Sequence, residues 1–209
     1  FFMACGDVVL RSGIAGRLFR LSFSGEMGFE IAVPARWGEA LALSLMQAGR
    51  AHGIVPYGLE AMSILRVEKG HAAGGELNGQ TTARDLGLGR MASKKKNFIG
   101  RAMADRPALV DPDRPALAGF RALDDKRLNA GAHLFSMGST TAPDADEGYL
   151  TSTAFSPALG GWIALGLIRR GNDRVGERVR VMDPIRNNEA VVEIVHPSFL
   201  DPQGERLRG

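Results

Sequence analysis

From Gly16 the chain alternates. Leu18, Arg20 and Ser22 fall on one side of an extended segment, and Phe19, Leu21 and Phe23 fall on the other. A period of two predicts a strand. Ser24, Gly25 and Gly28 supply a bend, and residues 29–33 read as the returning strand, ended by Pro34. On that return strand Glu30 shares a face with Ala32, opposite Phe29, Ile31 and Val33. The period then lengthens. Trp37, Leu41, Leu45 and Ala48 recur at helical spacing until Gly49 stops the pattern. After a turn at Pro56, Leu59, Met62, Ile64 and Leu65 predict the buried stripe of a second helix, capped by Gly70.

Beyond Gly70 the regularity breaks. GGELNGQTTARDLGLG is Gly-rich and irregular, and RMASKKKNFIGRAMA is a basic loop leading into a short helix. Residues 105–115 hold three prolines in eleven positions, the signature of a linker. The expected division is therefore 1–104 and 116–209. Six short strand-like runs follow: ALAGFRALD, GAHLFSM, EGYLTSTAFSP, WIALGLIRR, RVRVMD and AVVEIVHPSFLD. Turns separate them, so the second part reads as a small antiparallel barrel or sandwich, and the whole as α+β.

Composition narrows the function classes. The 209 residues are 44% hydrophobic and 23% charged, ordinary material for one large domain or two small ones. A net charge of +3 is too small to imply a nucleic-acid partner and suits an anionic small ligand equally well. One cysteine, Cys5, excludes an intrachain disulfide framework and a Cys-rich zinc site. No apolar run is long enough for a membrane span, so no membrane partner is expected. FFMACGDVVLRSG lacks the basic and apolar regions of a secretory leader, and it opens in apolar residues without Met. The expectation is a fragment of a longer cytoplasmic protein.

Candidate chemistry is sparse. Lys94, Lys95 and Lys96 are adjacent but lack interleaved aromatics. They read as a solvated loop, a subunit contact or the seat of an anionic ligand tail, not a nucleic-acid site. Neither glycine loop is a P-loop or a dinucleotide fingerprint. His52, His71, His133 and His196 are not spaced as metal ligands, no metal is expected, and no G-x-S-x-G elbow occurs. Glu26 and Glu30 remain. Both can simply face water. Alternatively, a carboxylate at Glu30 can accept two parallel charge-assisted hydrogen bonds. A pterin or guanine edge, with a ring N–H beside an exocyclic amine, offers that pair of donors.

The motifs add a resemblance. FSGEMGFEIAVP resembles the Tyr-x-Gly-Glu-x-Gly-aromatic-Glu segment of the aminomethyltransferase (glycine cleavage T-protein) superfamily. GLEAMSILRVEKG is similar to its following helix, with Leu-Arg-x-Glu at 65–68. SKKKNFIGR and GYLTSTAFSPALGGWIALGLIRR resemble its Lys-rich stretch and its C-terminal barrel signature, so the likeness runs over 16–209. It implies part of a folate-binding α/β domain followed by a small antiparallel β-barrel, with tetrahydrofolate as cofactor. Glu30 matches the family glutamate that grips the pterin, and Ile31 and Ala32 follow it along the folate wall. Phe23 stands where many members have a tyrosine, so only packing is implied there. Arg66 matches the helix arginine, and Arg90 falls where related dehydrogenases have an aromatic near the folate. The family's catalytic aspartate would lie upstream of Phe1.

Within the superfamily, SKKKNFIG and HPSFLDPQGERLRG most resemble the sarcosine oxidase alpha branch. That branch implies an oxidoreductase acting on CH–NH donors with oxygen as acceptor. The one-carbon unit released from sarcosine would pass to tetrahydrofolate. FAD, FMN and NAD would sit in other parts of a hetero-oligomer, with other sarcosine oxidase subunits as partners, and this stretch alone would be inactive. The rivals are an aminomethyltransferase, a dimethylglycine-oxidising relative and a non-catalytic folate-binding module. Against the last stands His71, in Lys69-Gly70-His71, where iron–sulphur maintenance proteins of this fold carry cysteine.

Overall fold

The computed structural model describes residues 2–209 apart from the side chain of Asn172, and among the described residues it has nine strands and five α-helices. Contacts group it into two compact units. One comprises the residues up to Leu65 together with Gln203–Gly209, and the other is Arg66–Pro202.

The first unit is built on three antiparallel strands in the order β1-β2-β3: β1 at Cys5–Val9, β2 at Ala15–Phe19 and β3 at Glu30–Ala32. The alternation from Gly16 does form a strand, but its regular part ends at Phe19, and the return strand keeps only three residues. Arg20 explains the early end. Its guanidinium donates to the Gly28 carbonyl at 3.2 Å and the Leu207 carbonyl at 2.8 Å, which holds residues 20–29 as a loop. Strand β1 carries no clear alternation in the sequence. It is specified by pairing with β2, Asp7 opposite Arg17, where the two side chains form an ion pair.

Helices α1 (Gly38–Gly49) and α2 (Leu59–Lys69) lie where the helical spacing puts them. Their apolar stripes are buried only in part: Leu41, Met62, Ile64 and Leu65 are half-buried. Helix α1 has no buried residue, and Trp37, Leu45 and Leu59 are exposed. An apolar stripe is buried only when a second layer covers it, and among the described residues none covers these positions. In α2, Val67 at the C-terminal end is buried instead.

The second unit is a closed six-stranded antiparallel barrel in the order β4-β7-β6-β5-β8-β9. Its strands are β4 (Pro115–Ala122), β5 (His133–Ser136), β6 (Gly148–Ser156), β7 (Gly161–Arg169), β8 (Arg178–Asp183) and β9 (Asn188–Val195). Each overlaps one of the six strand-like runs, with β4 and β7 starting one residue and β9 two residues before theirs, and closure leaves no free edge. The pairing of Phe120 with Ile194 closes the ring, and Phe120 also faces Ala164. Phe120, Leu134, Leu150, Ile168, Val179, Val192 and Ile194 fill the interior. On β8, Val179, Val181 and Asp183 are buried between more exposed neighbours, which gives this strand its period of two. Before the barrel, α3 (Arg101–Ala104) and α4 (Pro107–Val110) are single helical turns. No helix among the described residues is long and apolar enough to cross a membrane.

Candidate functional site

The loop from Arg20 to β3 is shaped by its glycines. A Cβ at Gly28 would stand 2.6 Å from the Leu21 carbonyl oxygen, so only glycine allows this close approach. The Gly25 N–H donates to Ser22 Oγ at 3.0 Å, and the Arg20 guanidinium lies 5.1 Å from the centre of the Phe29 ring. Phe29, expected to open the return strand, instead lies just before β3 and is exposed.

The loop treats its two carboxylates differently. Glu26 Oε1 accepts from Arg206 Nη1 at 3.1 Å, an exposed ion pair contributed by α5 (Glu205–Arg208). Glu30 is exposed at the start of β3, and among the described residues its carboxylate has no hydrogen-bond or ion-pair partner. Register places Glu30 opposite Phe19 and Ala32 opposite Arg17, so these four share one sheet face. An open concavity of about 660 Å³ covers the part of that face formed by Arg17, Phe19 and Ala32, with Val9 and Pro34, and Glu30 stands outside its lining. Ile31 pairs with Leu18 on the opposite face, and Phe23 is half-buried in the loop. The first unit therefore brings Glu30 and Ala32 to one surface and sends the Ile31 side chain to the other. An acidic group beside apolar surface can hold a flat heterocycle that presents adjacent N–H donors.

Arg66 and Arg90 belong to the second unit. Arg66 Nη1 donates to Glu76 Oε2 at 2.9 Å and Nη2 to Ser152 Oγ at 2.6 Å. Glu76 is fully buried and also accepts from the Ala73 N–H, Ser152 Oγ and Thr151 Oγ1. Thr151 and Ser152 are consecutive, and on a regular strand they would point to opposite faces. The β-bulge between Leu150 and Ser152 lets both hydroxyls reach Glu76 Oε1. Burial pushes the Glu76 carboxyl up, but the bonds from Ser152, Thr151 and Ala73 and the charge of Arg66 outweigh it and hold the carboxyl below its usual range. Nearby, Glu68 accepts from Ser156 Oγ at 2.5 Å, and its backbone carbonyl accepts from the N–H groups of Phe199 and Leu200. The Leu-Arg-x-Glu motif thus ties α2 to β6 and the chain after β9. Arg90, in a 3-10 turn at Gly89–Met91, is exposed and lines a groove with Lys94 and Lys95.

Glu76 was not singled out by sequence reasoning. Its signal is weak: an acid three residues after Ala73 in a glycine-rich loop, where the side chain returns to the Ala73 N–H at 2.9 Å. Among the described residues no cluster of His, Cys, Asp and Glu is arranged to hold a metal ion.

Comparison with known proteins gives a consistent pattern. Residues 2–96 match the family described as GCVT N-terminal domain, and residues 116–201 match the glycine cleavage T-protein C-terminal barrel domain. The chain is 46% identical over 209 residues to a sarcosine oxidase subunit alpha from Rhizobium meliloti (strain 1021), covering 99% of this chain and 21% of that protein. It is 30% identical over 192 residues to an aminomethyltransferase from Streptomyces avermitilis, covering 90% of this chain and 50% of that one. A crystal structure of glycine cleavage system aminomethyltransferase T from Bartonella henselae superposes with a TM-score of 0.75 at 26% identity, over 90% of this chain and 50% of that one. The chain thus spans about a fifth of the length of its sarcosine oxidase relative and half that of the aminomethyltransferases.

Proposed function

This chain belongs to the glycine cleavage T-protein family, and from that premise we propose that it is the folate-binding part of an enzyme that oxidatively demethylates sarcosine. The observation that carries the reading is the unpartnered carboxylate of Glu30 on a sheet face with Phe19 and Ala32. An exposed acid with no internal partner, beside an aromatic ring and small apolar residues, fits a pterin, which offers paired N–H donors and a flat apolar body. The identity to a sarcosine oxidase subunit alpha supports the substrate class.

In this reading Glu30 accepts the two pterin donors and fixes the orientation of the ring. Tetrahydrofolate, when bound, supplies a nucleophilic nitrogen that takes up the one-carbon unit. Glu30 acts by position, holding that acceptor where the released carbon arrives. Phe19 and Ala32 exclude water along the face and so strengthen the charge-assisted bonds. Phe23 contributes packing only. Oxidation of the amine would take place elsewhere in a hetero-oligomer, at a flavin, with FAD, FMN and NAD held by other segments and subunits, in the cytoplasm. The division of the chain at 105–115 belongs to the same reading.

The test is calorimetric titration of the intact polypeptide with tetrahydrofolate, alongside analysis of the products formed from sarcosine. Saturable one-to-one binding with transfer of the carbon to folate supports the reading. Absence of folate binding in a preparation that still oxidises sarcosine would remove it.

A further inference from the structure

A groove of about 920 Å³ runs along the 3-10 turn at Gly89–Met91, the lysine run and α3, wholly within the second unit. Its charged lining is Arg84, Arg90, Lys94, Lys95 and Arg101, with Asp105 as the acid among them. Five cations against one carboxylate leave four positive charges, one more than the +3 of the entire chain. The positive charge of this protein is therefore concentrated here, and the remainder is close to neutral.

Only part of that charge is used internally. Arg84 Nη2 meets Asp105 Oδ1 at 2.7 Å. Arg101 donates to the backbone carbonyls of Lys94 at 3.3 Å and Lys96 at 3.1 Å, which shapes the loop but leaves the guanidinium charge uncompensated. Arg90, Lys94 and Lys95 have no side-chain partner among the described residues. Crowding like charges around one concavity is unfavourable until an anion enters it. Phe98 gives the groove an apolar wall, but a single aromatic cannot serve as a stacking track for a nucleic-acid strand. The volume is that of a small-molecule site.

We propose that this groove binds a small oligoanion carrying two or more carboxylate or phosphate groups. Arg90 presents a planar fork to one group, and Lys94 and Lys95 present point charges to the next. The site stands on its cationic lining alone and goes beyond the reading of Glu30.

The experiment titrates the intact polypeptide at low ionic strength with two probes, inorganic tripolyphosphate and a triglutamate peptide, with acetate as the singly charged control. Lys94→Ala combined with Lys95→Ala is compared with wild type. These substitutions keep the Lys94 carbonyl that anchors Arg101, so the loop is preserved, and an unchanged melting temperature checks this. Arg178→Ala, which removes an exposed charge from β8, controls for net charge. The expected result is one-to-one binding of at least one probe, weakened about tenfold or more by the double substitution and less than about twofold by Arg178→Ala. The tighter probe identifies carboxylate or phosphate as the ligand group. No saturation by either probe, equal losses in the two variants, or tighter binding of duplex DNA than of either probe overturns the proposal.

Discussion

Arg66 and Glu76 meet at 2.9 Å with the Glu76 side chain fully buried and that of Arg66 14% exposed. The pair is satisfied on both sides: the acid by two hydroxyls and a backbone N–H, the base by Ser152 and the His71 carbonyl. Glu76→Ala removes the acceptor and leaves Arg66 enclosed without its counter-charge. Breaking a buried pair from one side costs about 3–5 kcal/mol. Denaturant unfolding of the intact polypeptide should show a loss of that size, with a smaller loss for Glu76→Gln. A change below about 0.5 kcal/mol, as at an ordinary surface position, would mean that the network does not hold the unit together.

The same network sets an acid limit. Burial pushes Glu76 up, but its hydrogen bonds and Arg66 bring the carboxyl below the ordinary 4.5. Burial likewise raises Asp85, but bonds from Arg114 and Thr82 bring it below 3.8. A carboxyl depressed in the folded state stabilises the protein above its ordinary value, and that contribution is lost as pH falls through the folded value. The stability gap between wild type and Glu76→Gln should therefore be constant near neutrality and shrink on acidification below about 4.5. Unfolding curves at stepped pH measure it. A gap that persists undiminished at strongly acidic pH would contradict the assignment.

Gly70 ends α2 in the left-handed region, φ 75°. Its N–H donates to the Val67 carbonyl and the His71 N–H to that of Arg66, the paired bonds of a Schellman cap. A Cβ here would stand 2.3 Å from the backbone oxygen of Pro197. Gly70→Ala meets both the conformational penalty and a backbone clash, so a destabilisation of at least about 1–3 kcal/mol is expected. Melting of Gly70→Ala beside Gly53→Ala, which is left-handed but has open space around it, separates the two contributions. Equal losses would show that the approach of Pro197 is immaterial.

Glu30→Ala tests the proposed pterin grip. It leaves two donors of a bound pterin without their charged acceptor, which costs roughly 2–5 kcal/mol in a desolvated site, so folate affinity should fall at least about tenfold. Sarcosine oxidation should continue, with free formaldehyde replacing the folate-bound product. Glu26→Ala breaks only an exposed pair with Arg206 and should bind folate nearly as wild type. Calorimetry and a formaldehyde assay on both variants give the answer, and equal affinity in wild type and Glu30→Ala would sink the assignment.

The proposed division at 105–115, distinct from the contact boundary at Leu65 and Arg66, can be tested by limited proteolysis. Asp111 and Asp113 are exposed, whereas Arg114 is fastened to Asp85 by bonds of 2.7–3.3 Å. A protease that cuts before aspartate should act first at Asp111 or Asp113 and leave a resistant barrel. First cuts inside β6, β7 or β8 would contradict the proposed two-domain division.

The six barrel strands were legible in the sequence because each is a short apolar or alternating run bounded by turn residues. The helices were legible by spacing and by Gly70, since the demand for a left-handed cap is local. What those helices bury was not legible. Trp37 and Leu45 recur as a core stripe does, yet they are exposed, because burial depends on a covering layer and not on periodicity. Glu76 was illegible for a related reason: its partners Thr151 and Ser152 lie about 75 positions away and converge on it only through a bulge. The two loop acids make the same point at the proposed site. Their spacing around Gly25 and Gly28 was visible in the sequence and drew attention to both. Which of them is left without an internal partner was decided by Arg206, brought from the far end of the chain to Glu26 and not to Glu30. Local chemistry can nominate a carboxylate, but whether it is already neutralised depends on charges that only the fold brings near.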